Sequence, residues 1–489
     1  MTVRVAEASE APSFQKAALP LLHDAQIRSN VRHATDVIQR KRAQVVGESP
    51  DWQQLRTAAS EIKAHTLRYL DHYLLQFEQA CTAAGGHVHW AADADEANRI
   101  VAGLVRHYGG QEVIKIKTMT SDETRLNEAL AQEGIRAHET DLAELIIQLG
   151  HDKPSHIVVP ALHKNRTQVR EIFREKMNLP DLGDRPEDLT AAARTYLRKK
   201  FMHVNIGVCG ANFLVAETGG VCIVESEGNG RMCLTLPSVL ISLAGIEKIV
   251  PTFQDLEVFL QLLPRSATGE RMNPYNSLWT GVHPGDGPRH FHIVLMDNGR
   301  TGVLADPDAR ETLHCIRCAA CLNTCPVYRQ TSGLAYGSSY SGPIGAILTP
   351  QLLEMRHAQS LPYASSLCGA CFEVCPVKIN IPEVLIHLRG RVVREQKPAL
   401  DPESLAMKTI AAVFTSRTRY EAAQRLARIG QWPMERDGWM RNLPGMLGNW
   451  TKVRDLRALP QQTFREWWKQ RGPRTDAQLS PRKAEAPHD

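Results

Sequence analysis

Three observations predict an α/β domain followed by an α-helical two-cluster ferredoxin domain and a basic C-terminal tail. Seven of the eleven cysteines crowd between Cys315 and Cys375. Upstream of them, candidate strands and helices alternate from His87 to Met296, the signature of a mainly parallel sheet covered on both faces. Downstream, from Arg389 to Asp489, there are 20 Lys+Arg against 11 Asp+Glu, a net +9, together with five of the eight tryptophans. The whole chain carries only +5, so the remainder is acidic. A length of 489 residues with 43% hydrophobic content suits a multi-domain globular protein. The divisions expected are a helical N-terminal region (1–66), the α/β domain (67–300), the ferredoxin-like domain (301–390) and the tryptophan-bearing tail (391–489). No uncharged apolar run reaches the roughly 18–20 residues of a membrane span. Met1–Pro12 has Glu7 and Glu10 and no apolar core, so it does not read as a signal peptide.

The N-terminal region reads as helices over Phe14–Leu22, Ala25–Val45 and Trp52–Ala84, from apolar residues at three- and four-residue spacing. In the α/β domain, His87–Ala91 and Glu112–Ile116 read as strands and Asp95–His107 as a helix. Ser121–Glu133 reads as a helix capped by Ser121, and Asp141–Leu149 as another. Ser155–Val159 reads as a strand and Gln168–Met177 as a helix. Val204–Val208 follows, then a hairpin of Phe213–Ala216 and Val221–Glu225 about Gly219-Gly220, and further strands at Lys248–Val250 and His292–Met296.

The first cysteine group is Cys315-Ile-Arg-Cys318-Ala-Ala-Cys321-Leu-Asn-Thr-Cys325-Pro326. This C-x2-C-x2-C-x3-C-P phrase is that of bacterial ferredoxins, in which the fourth cysteine serves the other cluster. Three thiolates on a tight loop each reach a different iron, and the fourth begins a turn that leads away. The second group, Cys368-Gly-Ala-Cys371-Phe-Glu-Val-Cys375-Pro376, has the same ending and one cysteine fewer. Crossed ligation gives Cys315, Cys318, Cys321 and Cys375 to one cluster and Cys325, Cys368 and Cys371 to the other. In register, Ser365 stands where the eighth cysteine would be. The fourth iron then has several candidate ligands: Ser365 or Ser366 through oxygen, a residue elsewhere, water, or a partner or substrate. A three-iron cluster is the other option. Two structural zinc knuckles are the competing reading of paired CxxC motifs, but seven cysteines are too many for one zinc. Between the groups, a helix is expected over Gln351–Ala358, with Thr349 as cap and Pro350 at its first position. Another is expected over Ile381–Gln396.

Other stretches carry weaker signals. Lys115–Ser121 leaves a strand and enters a helix, where α/β sheets bind ligands; an ordinary cap with surface lysines explains it equally. Glu217-Thr218-Gly219-Gly220 and Glu225-Ser226-Glu227-Gly228-Asn229-Gly230-Arg231 are either a ligand loop or a solvated turn and polar loop. No phosphate loop, Rossmann fingerprint or flavin motif is visible. His87, His89, His283, His290 and His292 lack metal spacing. Cys209, Cys222 and Cys233 read as small core residues. Most of the tail's tryptophans are expected to pack it onto the ferredoxin module and Arg471–Asp489 to be disordered; the tail's charge suits an anionic partner surface, with no nucleic-acid motif beside it.

The order of Lys-Thr-Met-Thr-Ser-Asp-Glu (117–123), Glu-Thr-Asp-Leu-Ala-Glu (139–144), Pro-Ser-His-Ile-Val-Val-Pro (154–160), Gly-Ala-Asn-Phe (210–213), Ala-Glu-Thr-Gly (216–219), Glu-Gly-Asn-Gly-Arg (227–231), the paired cysteine groups, Asn449–Asp455 and Phe464–Trp468 resembles the lactate utilization protein B family over nearly the full chain. That resemblance implies a lactate-utilization domain similar to formyltetrahydrofolate cyclo-ligases and CoA transferases. It implies two iron–sulfur clusters, both 4Fe–4S, held by the seven cysteines as grouped above. It further implies a non-catalytic electron-transfer subunit in the oxidation of L-lactate to pyruvate. The implied partners are a cysteine-rich oxidoreductase subunit and a second lactate-utilization-domain protein. The implied location is cytoplasmic, with any inner-membrane contact made through partners. The alternative is an α/β domain that is itself a carboxylate- or nucleotide-binding enzyme, with the clusters serving another 2-hydroxy-acid oxidoreductase.

Overall fold

The computed structural model describes residues 12–396, 401–452 and 454–471. The chain divides into two compact units, Met1–Gln396 and Lys397–Asp489.

In the first unit a six-stranded sheet has the order β1 (His87–Ala91), β10 (His290–Met296), β7 (Val239–Gly245), β4 (Ile206–Cys209), β2 (Glu112–Lys115) and β3 (Arg136–Glu139), with every pairing parallel. A second sheet, ordered β8-β5-β6-β9, contains β5 (Phe213–Val215), β6 (Gly220–Glu225), β8 (Ile249–Val250) and β9 (Tyr275–Trp279). Period-two alternation tells the layers apart. Val208, Val239, Ile241, Leu243 and Val294 face helices Ala94–His107 and Leu126–Gln132 through Val101, Val105, Leu126 and Leu130. Leu240, Ala244, Phe291, Ile293 and Leu295 face the opposite way, toward Leu214, Ala216, Val221 and Ile223 of the small sheet and toward Leu74 and Phe77. The small sheet's other face carries Phe213, Val215, Cys222 and Val250. These join a core with Phe259, Trp52, Ala59 and the cysteine-bearing module itself. A further helical group, Leu142–Leu149, Arg166–Lys176 and Pro186–His203, closes around Phe173 between β3 and β4.

β3, β7 and β9, and the helices Pro186–His203, Asn229–Thr235 and Phe253–Ala267, were not expected from the sequence. β7 reads Val-Leu-Ile-Ser-Leu-Ala-Gly and is buried at all seven positions, so it has no alternation to betray it. Ser155–Val159 is not a strand. Pro154 and Pro160 flank it without N–H groups. The Ser155 carbonyl is taken by the Tyr328 hydroxyl (2.6 Å) and the Gly333 N–H (3.0 Å), tying the segment to the cysteine module instead of to a sheet. Ser121–Glu133 is two helices, Met119–Thr124 and Leu126–Gln132, broken at Arg125 (φ 55°), and Thr118 is the cap. Trp52–Ala84 breaks at Tyr69. Gln351–Ala358 is also divided. Thr349 and Pro350 lie inside the helix Gly342–Leu352, which starts with Pro343 in its first turn, and Met355–Ala358 follows. Helix Ile381–Gln396 forms as expected.

The hairpin between β5 and β6 explains Glu217–Gly220. Gly219 has φ +65°, and a Cβ there would come within 2.2 Å of the Cys81 backbone nitrogen. Only glycine combines that conformation with that approach, so the turn is structural.

In the C-terminal unit, helices Pro402–Phe414 and Arg417–Gln431 precede a small three-stranded antiparallel sheet and the capped helix Phe464–Gln470. Within this unit Trp432, Trp439, Trp450, Trp467 and Trp468 are each at least 40% exposed. The stretch expected to be disordered lies, beyond Arg471, outside the described residues. Among the described residues no helix is long and apolar enough to cross a membrane.

Candidate iron–sulfur centre

The cysteine segments are two copies of one backbone device. In the first, Arg317 and Ala319 flank Cys318 with φ of 62° and 62°. In the second, Leu367 and Gly369 flank Cys368 with φ of 54° and 84°. Each left-handed pair throws the chain into a five-residue helix, Ala320–Thr324 or Ala370–Val374, and each helix ends on a cysteine, Cys325 or Cys375. Left-handed turns of this kind aim successive N–H groups inward, which suits anionic sulfur.

Cys315, Cys318, Cys321 and Cys375 line one small cavity. Its remaining wall includes Ile316, Ile344, Val377, Ile379 and Ile381. Backbone N–H groups of Arg317 and Ile379 donate to the Sγ atoms of Cys315 and Cys375, each at 3.4 Å. Burial pushes the Cys318 thiol up to about 12 and Cys375 to about 11, and each also feels the Cys315 thiol. Burial, then the neighbouring Cys325 and Cys368, pushes Cys371 up to about 12. Cys325 lies near Cys368 and Cys371, and Cys375 lies with the first triplet, while Cys321 also feels Cys371 across the short gap between the two sets. Tyr328 N–H donates to Cys325 Sγ at 3.5 Å. Cys368 is exposed, and so is the Phe372 ring near it in sequence, whereas the first group is largely enclosed.

The donor set fits iron–sulfur clusters better than zinc. Among the described residues no three cysteine sulfurs lie within 4.8 Å of one another. Thiolates sharing one tetrahedral zinc at about 2.3 Å stand about 3.8 Å apart. Wider spacing around an apolar cavity suits a cubane with one iron beneath each sulfur.

A shell of cations surrounds the first cavity. Helices Ala25–Gly47 and Trp52–Arg68 bring Arg42 to the Val374 carbonyl (3.0 Å) and Arg56 to those of Cys375 (2.9 Å) and Phe372 (3.2 Å). Arg317 stacks over Tyr340 at 4.7 Å and meets Glu247 at 3.2 Å. Glu247 also pairs with Arg300, and its carbonyl accepts from the Lys63 ammonium. Arg300 in turn forks onto Glu123 with two contacts of 2.9 Å, a bidentate geometry. Burial alone would raise the Glu247 carboxyl, but Arg300, Arg317 and Lys248 hold it down at about 2. Burial likewise lowers Lys63 to about 7 and Lys248 to about 8. None of these cations was marked in the sequence. Arg42, Arg56 and Lys63 sit among charges on amphipathic helices, and nothing in their spacing sets them apart from solvated ones.

Glu123, Glu247 and Arg300 all follow the carboxyl ends of strands β2, β7 and β10. Ser339 Oγ also donates to the Asp122 carbonyl at 3.0 Å. The cysteine module therefore packs against the sheet edge where open α/β sheets usually take a ligand.

Farther along that edge, segments singled out in the sequence do come together. Lys115 is 1% exposed and meets Glu139 and Ser121, each at 2.8 Å. Lys117 pairs with Glu144 at 2.6 Å, and Leu142 N–H donates to Glu227 at 2.9 Å. Burial, with nearby carboxylates, pushes Asp122 to about 7 and Asp141 to about 6. Both lysines are already engaged by carboxylates, so this is a charge-paired core and not a surface cap. The Glu225–Arg231 loop is closed on itself, because Glu225 accepts from the N–H groups of Gly228 (2.6 Å) and Arg231 (3.2 Å). Of the histidines, His87, His89, His290 and His292 share the β1/β10 pair; His89 and His292 are 3.1 Å apart and Tyr108 holds His292 at 2.9 Å. Cys209, Cys222 and Cys233 are buried.

An α/β domain whose ligand edge carries a module with two groups of clustered thiols defines an iron–sulfur protein. Comparison with known proteins agrees. The LUD domain matches residues 74–296, the 4Fe-4S dicluster domain 311–379, and the "Lactate utilisation protein B, C-terminal" family 387–473. Lactate utilization protein B of Bacillus licheniformis is 42% identical over 449 residues, covering 91% of this chain and 94% of that protein. The protein of the same name from Oceanobacillus iheyensis is 44% identical over 432 residues, covering 88% and 89%. The chain belongs to the lactate utilization protein B family. Among solved structures, a DUF162 family protein from Deinococcus radiodurans aligns with 46% of this chain and 98% of its own, at 14% identity and a TM-score of 0.25.

Proposed function

We propose that the chain is the electron-transfer subunit of a system that oxidises L-lactate to pyruvate. Cys315, Cys318, Cys321 and Cys375 hold one 4Fe–4S cluster, and Cys325, Cys368 and Cys371 hold the second. The observation that supports this most is the single cavity lined by the first triplet together with Cys375, which comes from the other motif. Each cluster, when bound, takes up and passes on one electron at a time. The chain supplies the setting. Apolar walls exclude water, N–H groups of Arg317 and Ile379 brace sulfur, and Arg42, Arg56 and Arg317 offset negative charge around the enclosed cluster. On this reading the second cluster is the port for a partner, which the exposure of Cys368 and Phe372 supports.

The α/β domain, on this reading, is a lactate-utilization domain similar to formyltetrahydrofolate cyclo-ligases and CoA transferases that here serves as scaffold. Its usual ligand edge is met by the ferredoxin module, and Lys115 and Lys117 are engaged by Glu139 and Glu144. The partners are a cysteine-rich oxidoreductase subunit and a second protein with the same α/β domain, in the cytoplasm. Deleting the gene, in cells with no other L-lactate dehydrogenase, is expected to abolish growth on L-lactate as sole carbon source and spare growth on pyruvate. Unimpaired growth on L-lactate contradicts the proposal.

A further inference from the structure

We propose that Ser365 binds the fourth iron of the second cluster through its Oγ; the proposal rests on the two-cluster reading above. The two cysteine segments align in register with a constant offset of 50 positions. Cys318, Cys321 and Cys325 correspond to Cys368, Cys371 and Cys375, and the left-handed residues Arg317 and Ala319 correspond to Leu367 and Gly369. The hydrogen bonds repeat as well. Leu322 and Asn323 N–H groups donate to Ala319 O at 2.9 and 3.2 Å, and Phe372 and Glu373 donate to Gly369 O at 2.9 and 3.2 Å.

The same register puts Ser365 on Cys315. Arg317 N–H donates to Cys315 Sγ at 3.4 Å, and Leu367 N–H donates to Ser365 Oγ at 3.1 Å. The Cys315 carbonyl accepts from the Arg317 guanidinium at 3.4 Å, and the Ser365 carbonyl from the Arg389 guanidinium at 3.3 Å. Cys315 and Ser365 are both half-buried. Ser366, the other hydroxyl in the segment, corresponds to Ile316 and is exposed, so the backbone selects Ser365 between them. The backbone of the ligand loop is repeated, and at the position of Cys315 a side-chain oxygen stands in place of sulfur. On binding, the Oγ–H bond breaks, its proton leaves to solvent, and an Fe–O bond forms with no change in electron count. The Leu367 N–H is already placed to stabilise the resulting oxyanion.

Ser365→Ala, Ser365→Cys and Ser366→Ala variants of the full chain, prepared anaerobically, test this by iron and sulfide content together with EPR. The wild type is expected to hold about eight irons. Ser365→Ala should lose about one and show a three-iron signal when oxidised, while the first cluster's signal stays as an internal control. Ser365→Cys should keep the iron and change the second cluster's spectrum, and Ser366→Ala should match the wild type. Wild-type iron and spectra in Ser365→Ala overturn the proposal. If that variant does not fold, an unaltered second-cluster spectrum in Ser365→Cys overturns it. A wild type with only about four irons overturns the two-cluster reading and this proposal with it.

Discussion

Cys375→Ala is expected to abolish the cluster that shares its cavity with Cys315, Cys318 and Cys321, although Cys375 belongs by sequence to the second motif. Iron should fall from about eight to about four per chain, and the surviving EPR signal should be that of the other cluster. Cys325→Ala should give the reciprocal result. The proposed crossing has a mechanical basis in this chain. Each five-residue helix carries its last cysteine away from its own loop. Arg42 and Arg56 then pin the end of the second helix by holding the carbonyls of Phe372, Val374 and Cys375. If ligation were uncrossed, Cys375→Ala would erase the same signal as Cys371→Ala.

Glu247→Ala is expected to destabilise the first unit by about 3–5 kcal/mol, the cost of leaving buried cations without their counter-ion. Glu247 is 1% exposed and lies between Arg300 and Arg317. Arg300 keeps Glu123, whereas Arg317 keeps, among the described residues, the Cys315 carbonyl and the Tyr340 ring. The loss should appear as a lower midpoint of chemical denaturation of the anaerobic holoprotein. The pH dependence has a definite sign. Because the folded carboxyl is held below its ordinary 4.5, at about 2, its contribution is complete above pH 4.5 and is lost as pH falls toward 2. A midpoint for Glu247→Ala within error of wild type at neutral pH contradicts the account of this junction.

The cysteine phrase is the part of this protein most legible in its sequence, because ligand spacing is local. The same holds for β1, expected at His87–Ala91 and found there, and for the glycine turn between β5 and β6. What stays hidden depends on distant partners. β7 is buried on both faces and so shows no period. Ser155–Val159 has the composition of a strand, yet its backbone acceptor is claimed by Tyr328 and Gly333, 173 or more residues away. Arg56 looks like any helix arginine until the fold brings it to Cys375, 319 residues later. The register of Ser365 on Cys315 was readable from spacing; its choice over Ser366 needed the backbone.

The central claim is that this chain carries electrons through two clusters. A coulometric titration of the anaerobic full-length protein, followed by visible absorbance, tests it most directly. The account predicts reversible bleaching in two one-electron steps per chain. A single step, or absorbance that does not respond to reduction, would contradict it.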